Sequence, residues 1–522
     1  MCYFTLLMRA KCKQNCATVA FVALGCPKNI VDSEKMLALV GQAGFILSND
    51  IDNADVVVIN TCGFIKPARE EALEAIAGAV ERKKRGKVKR VVVAGCLVQR
   101  MGALLANEIQ GIDVIAGLGA RDEIGDIIWR SLEQNGRQKP VIYLEPSDSR
   151  IGDDTGRLLI TPRHTAYLRI SEGCDRGCSF CTVPAIRGPF RSKPPRQVIA
   201  EARELVENGA VELSVIAQDS SFYGKDLGLK NGLAMLIKQL DEIEPLRWIR
   251  LMYLHPDGID EVLIEAIAGC EKVVHYIDMP VQHINNHILR AMRRGRTKAK
   301  IINLIEDLRA AMGDVALRTT MIVGFPGESD EHFEELLDFV RTVKFDALGC
   351  FGFYAEEGTP AAKMAGQVHE AVKNERVERL MLTQQEIALE KGRDRIGQEL
   401  VCLIDEVDEN GLGHGRFYGQ APEIDSICYI EGVPRGPQAH PTIRGVPRGP
   451  QAHPTICGVP RGPQAHPTIC GVPRGPQAHP TIRGVPRGPQ AHPTICSLEA
   501  GRFVKVQVGG SQDYDLLCRA IL

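Results

Sequence analysis

The chain has 522 residues, enough for three or four domains with cores of their own. Its 44% apolar and 25% charged content is that of an ordinary globular protein. No apolar run approaches the roughly 18–20 residues that a membrane helix needs. The formal net charge of −2 hides two opposed parts, because residues 432–496 carry seven Arg and no acid. The remainder is net acidic, which favours a basic partner over bare nucleic acid.

The 17 cysteines are odd in number and scattered through a large chain. That pattern excludes a disulfide framework of the small secreted kind and points to reduced, metal-binding thiols in a cytoplasm. Residues 1–17 read as an extension without the order of a secretory signal, and Cys2, Cys12 and Cys16 receive no assignment.

In chain order, residues 18–144 alternate strand and helix. Strand-like runs at 19–24, 54–60 and 90–94 are separated by helical runs at 33–42 and 67–84. Continuous Val/Ile strands between helices predict an open parallel sheet covered on both faces. Residues 145–156, rich in Asp, Ser and Gly, read as a linker. Residues 157–396 alternate again, with strands at 166–170, 211–217, 248–253, 275–279, 316–323 and 347–353. Helices are expected at 195–208, 232–242, 260–268, 298–312 and 331–343. These βα units predict a partial or full β/α barrel. A charged helix at 370–396 leads out. Residues 397–522 read as five short strands at 400–406, 414–418, 427–430, 503–508 and 515–521, a small β-barrel. Its third and fourth strands are separated by residues 432–496, five near-identical copies of GVPRGPQAHPTI followed by Arg or Cys. Three Pro and two Gly in thirteen residues cannot fill a helix or a central strand, so the repeats read as an exposed, disordered insertion. Flexible tracts do not preorganise ligands, and the five His with Cys457, Cys470 and Cys496 are assigned no metal.

The chemistry-bearing motif is SEGCDRGCSFC, directly after the strand at 166–170. Cys174, Cys178 and Cys181 are spaced C-x3-C-x2-C. Three thiolates on a 4Fe–4S cluster, which normally takes four, leave one iron open to chelate a small molecule. Structural zinc wants four ligands, commonly two CxxC pairs, and no second pair lies near. A second constellation is Cys26, Cys62 and Cys96, each just past the C-terminal end of a first-domain strand. In an open parallel sheet those ends form one ligand-binding edge. A lone Cys after a strand is usually a small core residue, but three in register can converge on a second cluster.

With Phe180 before its last cysteine, C-x3-C-x2-C resembles the radical SAM superfamily. The resemblance implies an open iron that binds S-adenosylmethionine (SAM) and a one-electron cleavage to a 5′-deoxyadenosyl radical. The segments 217–220 and 322–328 resemble regions that contact SAM, which implies Phe180, Gln218, Asp219, Gly324 and Glu328 as its surroundings. The words ALGCPKNIVDSE, INTCGFI and AGCLVQR resemble the methylthiotransferase family, and the third domain resembles a TRAM domain. Segments 26–29, 63–65, 161–167, 278–283 and 356–360 resemble the RimO branch. That branch implies methylthiolation of the β-carbon of an aspartate in the twelfth small-subunit ribosomal protein. The resemblance further implies that one cluster on Cys174, Cys178 and Cys181 cleaves SAM, that a second on Cys26, Cys62 and Cys96 carries sulfur, and that a second SAM supplies the methyl group. An electron donor and a sulfur source are implied as partners, with RNA contact through the TRAM-like domain.

Two alternatives stand beside this reading: the MiaB branch, which modifies an adenosine in tRNA, and an RNA- or ribosome-binding iron–sulfur protein without catalysis. His255, His283 and His287 near strand ends are read as structural. Residues 293–296 (RRGR) are read as a solvated helix end. Cys270, Cys350, Cys402, Cys428 and Cys518 are read as inert thiols.

Overall fold

The computed structural model describes residues 17–134, 139–145, 151–431 and 498–521. The N-terminal segment through residue 16 and the repeats, with their histidines and cysteines, lie outside the described residues.

The first sheet is parallel and six-stranded. Its order is Ile46–Ser48, Thr18–Ala23, Val56–Thr61, Arg90–Gly95, Val114–Ala116, Val141–Tyr143. Val56 and Val58 pack into one apolar cluster with Met36 and Val40 of the helix Pro27–Gln42. Val57 and Ile59 pack into another with Ala72 and Ile76 of the helix Lys66–Lys84. A strand with no polar face needs cover on both sides, and these two helices give it. The chain leaves Thr18–Ala23 toward one edge and returns at Val56–Thr61 to run toward the other. The switch point lies between these two strands, and at such a point their C-terminal ends open a crevice.

The second sheet is also parallel, in the order Ala347–Gly352, Ala316–Val323, Val273–Asp278, Trp248–Leu251, Glu212–Ile216, Thr165–Arg169. It is an open six-stranded arc, so the barrel is partial. Outward residues such as Ala166, Leu168 and Leu213 pack under the surrounding helices. Inward residues such as Tyr167, Ile216 and Tyr276 meet Ile30 and Val31 of the first domain's helix and Ala421 of the third domain. The open arc is thus plugged from two sides by other parts of the chain. The third domain is a closed five-stranded barrel of Glu399–Val407, Gly413–Phe417, Cys428–Glu431, Asp515–Ala520 and Phe503–Gln512. Val506 and Val508 face its core, with Lys505 and Gln507 outside.

The three architectures follow the sequence reading. The differences are local. The first helix begins at Pro27 rather than near 33, because a proline at the first helical position is already set to helical φ. The three-residue strands at 46–48, 114–116 and 141–143 were not expected, being too short to show a period. In the segment read as a linker, Asp154 is buried and takes hydrogen bonds from Arg169, Arg121 and Lys193. Among the described residues no helix is long and apolar enough to cross a membrane.

Candidate active site

Cys26 immediately precedes the helix Pro27–Gln42, Cys62 follows Val56–Thr61, and Cys96 opens the helix Cys96–Met101 directly after Arg90–Gly95. Cys26 and Cys62 flank the switch point of the sheet. The turns that bring them together need glycine. Gly25 has φ +95°, and a Cβ there would lie 2.8 Å from Cys62 Cβ. Gly95 has φ +97°, and a Cβ there would lie 2.3 Å from Asn60 Oδ1 and 2.6 Å from the Thr61 carbonyl oxygen. Asn29 ties two strand ends together, donating from Nδ2 to the Leu24 and Thr61 carbonyls at 3.0 and 2.9 Å. Burial, reinforced by Cys26 and Cys96, pushes the Cys62 thiol up to about 12. Burial pushes Cys96 up to about 11 against the pull of Arg187, with Cys26 adding to the rise. Each of these two thiols senses neighbours in the trio, and all three stand at the C-terminal edge of one sheet.

The loop holding Cys174, Cys178 and Cys181 is clasped by a two-residue antiparallel pair, Ser171–Glu172 with Arg191–Ser192. The Cys174 N–H donates to the Gly188 carbonyl at 3.2 Å, and the Ser179 N–H and hydroxyl donate to Met292 and Ala291 carbonyls at 3.1 and 2.8 Å. Burial pushes Cys174 up to about 11 and Cys181 up to about 12, and both sense Cys178. The Val183 N–H points at Cys181 Sγ at 3.4 Å, and Arg294 Nη1 at Cys178 Sγ at 3.5 Å. Arg294 also donates from Nη2 to the Pro280 carbonyl. The run at 293–296 is therefore not simply a solvated helix end: Arg294 turns inward to the thiols.

Both trios suit an iron–sulfur cluster by their donor chemistry. Each is a set of buried or half-buried thiols with amide or guanidinium N–H groups aimed at sulfur, which favour thiolates. Among the described residues no three His, Cys, Asp or Glu groups are close enough to share one metal ion. Thiolates on three different irons of a cluster stand further apart than ligands of one ion.

One side chain links the two halves. Arg187 ends the short helix Val183–Arg187, six residues after Cys181. Its Nε donates to Cys96 Sγ at 3.2 Å, Nη2 to Asn29 Oδ1 at 2.5 Å and Asp32 Oδ2 at 3.1 Å, and Nη1 to Glu172 Oε2 at 3.0 Å. Burial opposes the charge of Asp32, but Arg169, Arg187 and Arg121 outweigh it and hold its carboxyl below the usual range. Lys28, beside Cys26, is 7% exposed and lies over the Tyr253 ring, 3.4 Å from its centroid. Burial pushes its ammonium below the ordinary lysine value, with Cys26 pulling it back up.

Of the residues expected around SAM, Phe180 packs with Phe325, Phe353 and Met292, so the motif's aromatic ring meets the 322–328 segment. Gly324 has φ +70° and passes close to Lys373. Gln218 Nε2 donates to Glu172 Oε1 at 2.6 Å. Asp219 accepts from Arg176 and Ser221. Glu328 accepts from Arg376 at 2.8 Å and stands 3.5 Å from His283. These two carboxylates are committed to protein partners. His255 caps a short turn and His287 stacks on His332, which suits structural roles. Arg187 and Lys28 escaped the sequence reading as functional residues. Lys28 lies within the CPKN word, but nothing in spacing marks Arg187.

Residues 168–340 match the radical SAM superfamily, 18–117 the uncharacterized protein family UPF0004, and 396–443 the TRAM domain. A solved structure of the radical S-adenosylmethionine methyltransferase TsrM from Kitasatospora setae, with cobalamin and a [4Fe-4S] cluster bound, shares the fold. Its TM-score is 0.50 at 14% identity, over 67% of this chain and 77% of that one. Fold and site together define a radical SAM enzyme, whose cofactors are SAM and 4Fe–4S clusters. The ribosomal protein uS12 methylthiotransferase RimO of Desulforamulus reducens is 44% identical over 413 residues, covering 78% of this chain and 92% of that protein. The RimO of Clostridioides difficile is 41% identical over 415 residues, covering 80% and 93%. The chain belongs to the RimO family of ribosomal protein uS12 methylthiotransferases.

Proposed function

We propose that this enzyme methylthiolates the β-carbon of an aspartate in ribosomal protein uS12, with one 4Fe–4S cluster on Cys174, Cys178 and Cys181 and another on Cys26, Cys62 and Cys96. The observation that carries this assignment is Arg187, which ends the helix that follows one trio and donates to a sulfur of the other. One buried guanidinium from the second domain reaches a thiol and two side chains of the first, which supports reading the two thiol sets as one site. When bound, the first of these clusters supplies one-electron cleavage of SAM and the second supplies sulfur.

The chain's own residues hold and shield. Each trio would hold a cluster by three thiolates, which would leave one iron free to bind a small molecule. Arg187, Arg294 and the Val183 amide favour the thiolates by hydrogen bonding to sulfur. Phe180, Gln218, Asp219, Gly324 and Glu328 surround SAM, with Asp219 and Glu328 acting through the pairs they make. Ile30, Val31 and Ala421 close the open arc of the sheet and keep water from its interior. The barrel of 397–522 docks the ribosomal substrate and contacts RNA. The electron donor and sulfur source come from the cytoplasm where ribosomal proteins are made.

The test is anaerobic reconstitution, iron counting, and incubation with uS12 and with tRNA. The expected result is a methylthio mass gain on uS12. A gain on tRNA and none on uS12 overturns the reading. Cys178→Ala should abolish SAM cleavage, whereas Cys62→Ala should spare it and abolish methylthiolation. Equal loss of cleavage in both folded variants would refute this division of labour.

A further inference from the structure

Lys28 is a buried lysine, 7% exposed, whose ammonium has no hydrogen-bonded counterion among the described residues. Among the described residues its sole close polar contact is the face of Tyr253, 3.4 Å from its Nζ. Three acids reach it by charge: the Cys26 thiol, which the reading above gives to the cluster, and two carboxylates that are already occupied. Glu172 accepts from Arg169, Arg187 and Gln218, and Asp278 accepts from Arg318 and the Tyr253 amide. Its place in the helix is also unfavourable. Lys28 lies in the first turn of Pro27–Gln42, a turn with no acid and no side-chain cap, where the helix dipole already favours an anion. Tyr253 beneath it holds φ +60°, a conformation that non-glycine residues adopt at a cost and keep mainly at functional sites. Local choices that conflict in this way mark a place where a ligand completes the structure.

We infer that the Lys28 ammonium, packed on Tyr253 beside Cys26, binds the side-chain carboxylate of the substrate aspartate. This rests on the reading above that the substrate is an aspartate, and it names the residue that recognises it. A buried ammonium presents three donors to an anion, and a carboxylate satisfies it where an uncharged amide satisfies it poorly. The β-carbon of aspartate is bonded to that carboxylate, so an anchor at residue 28 fixes the reacting carbon next to the trio that begins at residue 26. An adenine ring brings no charge to this position, so the same lysine discriminates against a nucleoside.

The test uses reconstituted holoenzyme, SAM and two uS12 peptides, one with the target aspartate and one with Asn in its place. Binding is read by fluorescence anisotropy under anaerobic conditions. The wild-type enzyme should prefer the Asp peptide by about ten- to a hundredfold, the range that a hydrogen bond to a charged group confers. Lys28→Met should bind both peptides alike, and Lys28→Arg should keep part of the preference. SAM affinity by equilibrium dialysis and iron per chain should be unchanged in Lys28→Met. Equal binding of the two peptides by the wild-type enzyme overturns the inference without using any variant. So does a preference that persists in Lys28→Met. A loss of SAM affinity instead assigns the carboxylate to SAM, and a loss of iron assigns Lys28 to the thiolates; either overturns it. If the wild-type enzyme binds neither peptide and modifies tRNA, the uS12 reading itself falls, and the inference falls with it.

Discussion

At the scale of single residues, charge is placed here for position more than for stability. Arg187 serves a thiol, an amide oxygen and two carboxylates, four acceptors that no single point charge reaches. Arg187→Met leaves Asp32 and Glu172 buried with one guanidinium fewer, and breaking such a pair costs about 3 kcal/mol. The apo protein should therefore lose that much in denaturant unfolding, and Arg187→Lys should recover only part of it. Full recovery by Lys would show that charge alone matters and the bridging geometry does not. Reconstituted first-domain iron should fall in Arg187→Met more than iron on the Cys174 loop, because the lost N–H to sulfur belongs to Cys96.

At the scale of elements, the site is made by strand ends and by the helices that start there. The helix Pro27–Gln42 sets Asn29 and Asp32 three apart, hence on one face, and both meet Arg187. The turn before Cys96 is the tightest joint. Gly95→Ala forces a Cβ into the Asn60 side chain and the Thr61 carbonyl at a φ that alanine avoids. Both penalties act on the same backbone, so a cost of at least about 2 kcal/mol is expected. The denaturant midpoint of the first domain should drop, with Gly44→Ala, whose added Cβ meets nothing within 4 Å, dropping less.

At the scale of the whole molecule, two clamps hold the outer domains on the central sheet. Glu356 accepts from the Lys66 amide, Arg69 and Arg100, all in the first domain. Glu356→Ala should speed amide hydrogen exchange across residues 64–70, beside Cys62, while leaving the C-terminal barrel protected. The barrel is held by Asp405, which pairs with His164 and Arg416, and by Arg416 on Glu212. Burial opposes the charge of Asp405, yet Arg416 and His164 overcome it and lower its pKa to about 2. A folded value below the unfolded one, about 3.9, means that its contribution is complete above about pH 4. That contribution is lost as the pH falls toward 2. Trp248 packs edge-on against Phe503 of the barrel, with centroids 4.8 Å apart, so its fluorescence reports docking. Asp405→Asn should remove this acid-dependent step from the Trp248 signal. An unchanged acid profile would place the barrel's anchor elsewhere.

Much of this protein was legible in sequence because local periodicity and strand-end position survive folding. Val56-Val57-Val58-Ile59 announced a strand buried on both faces, and C-x3-C-x2-C announced a loop with three thiols. Cys26, Cys62 and Cys96 could be gathered from the sequence because a parallel sheet puts successive strand ends on one edge. Three-residue strands left no trace, since two side-chain alternations are not a period. Asp154 read as linker because acidity in a polar stretch looks like solvent exposure until its cationic partners are known. Arg187 and Lys28 were invisible as functional groups for a single reason: each acts on a partner across a domain boundary. Arg294 was read as a solvated helix end because its partner, Cys178, lies 116 residues away in sequence. The sequence by itself determined the three architectures and which cysteines stand at the strand ends and in the loop that the proposal uses. Only the tertiary structure decided that one guanidinium reaches from the second domain to Cys96, and that the Lys28 ammonium makes no hydrogen bond among the described residues. Those facts depend on which surfaces meet, and no local pattern encodes that.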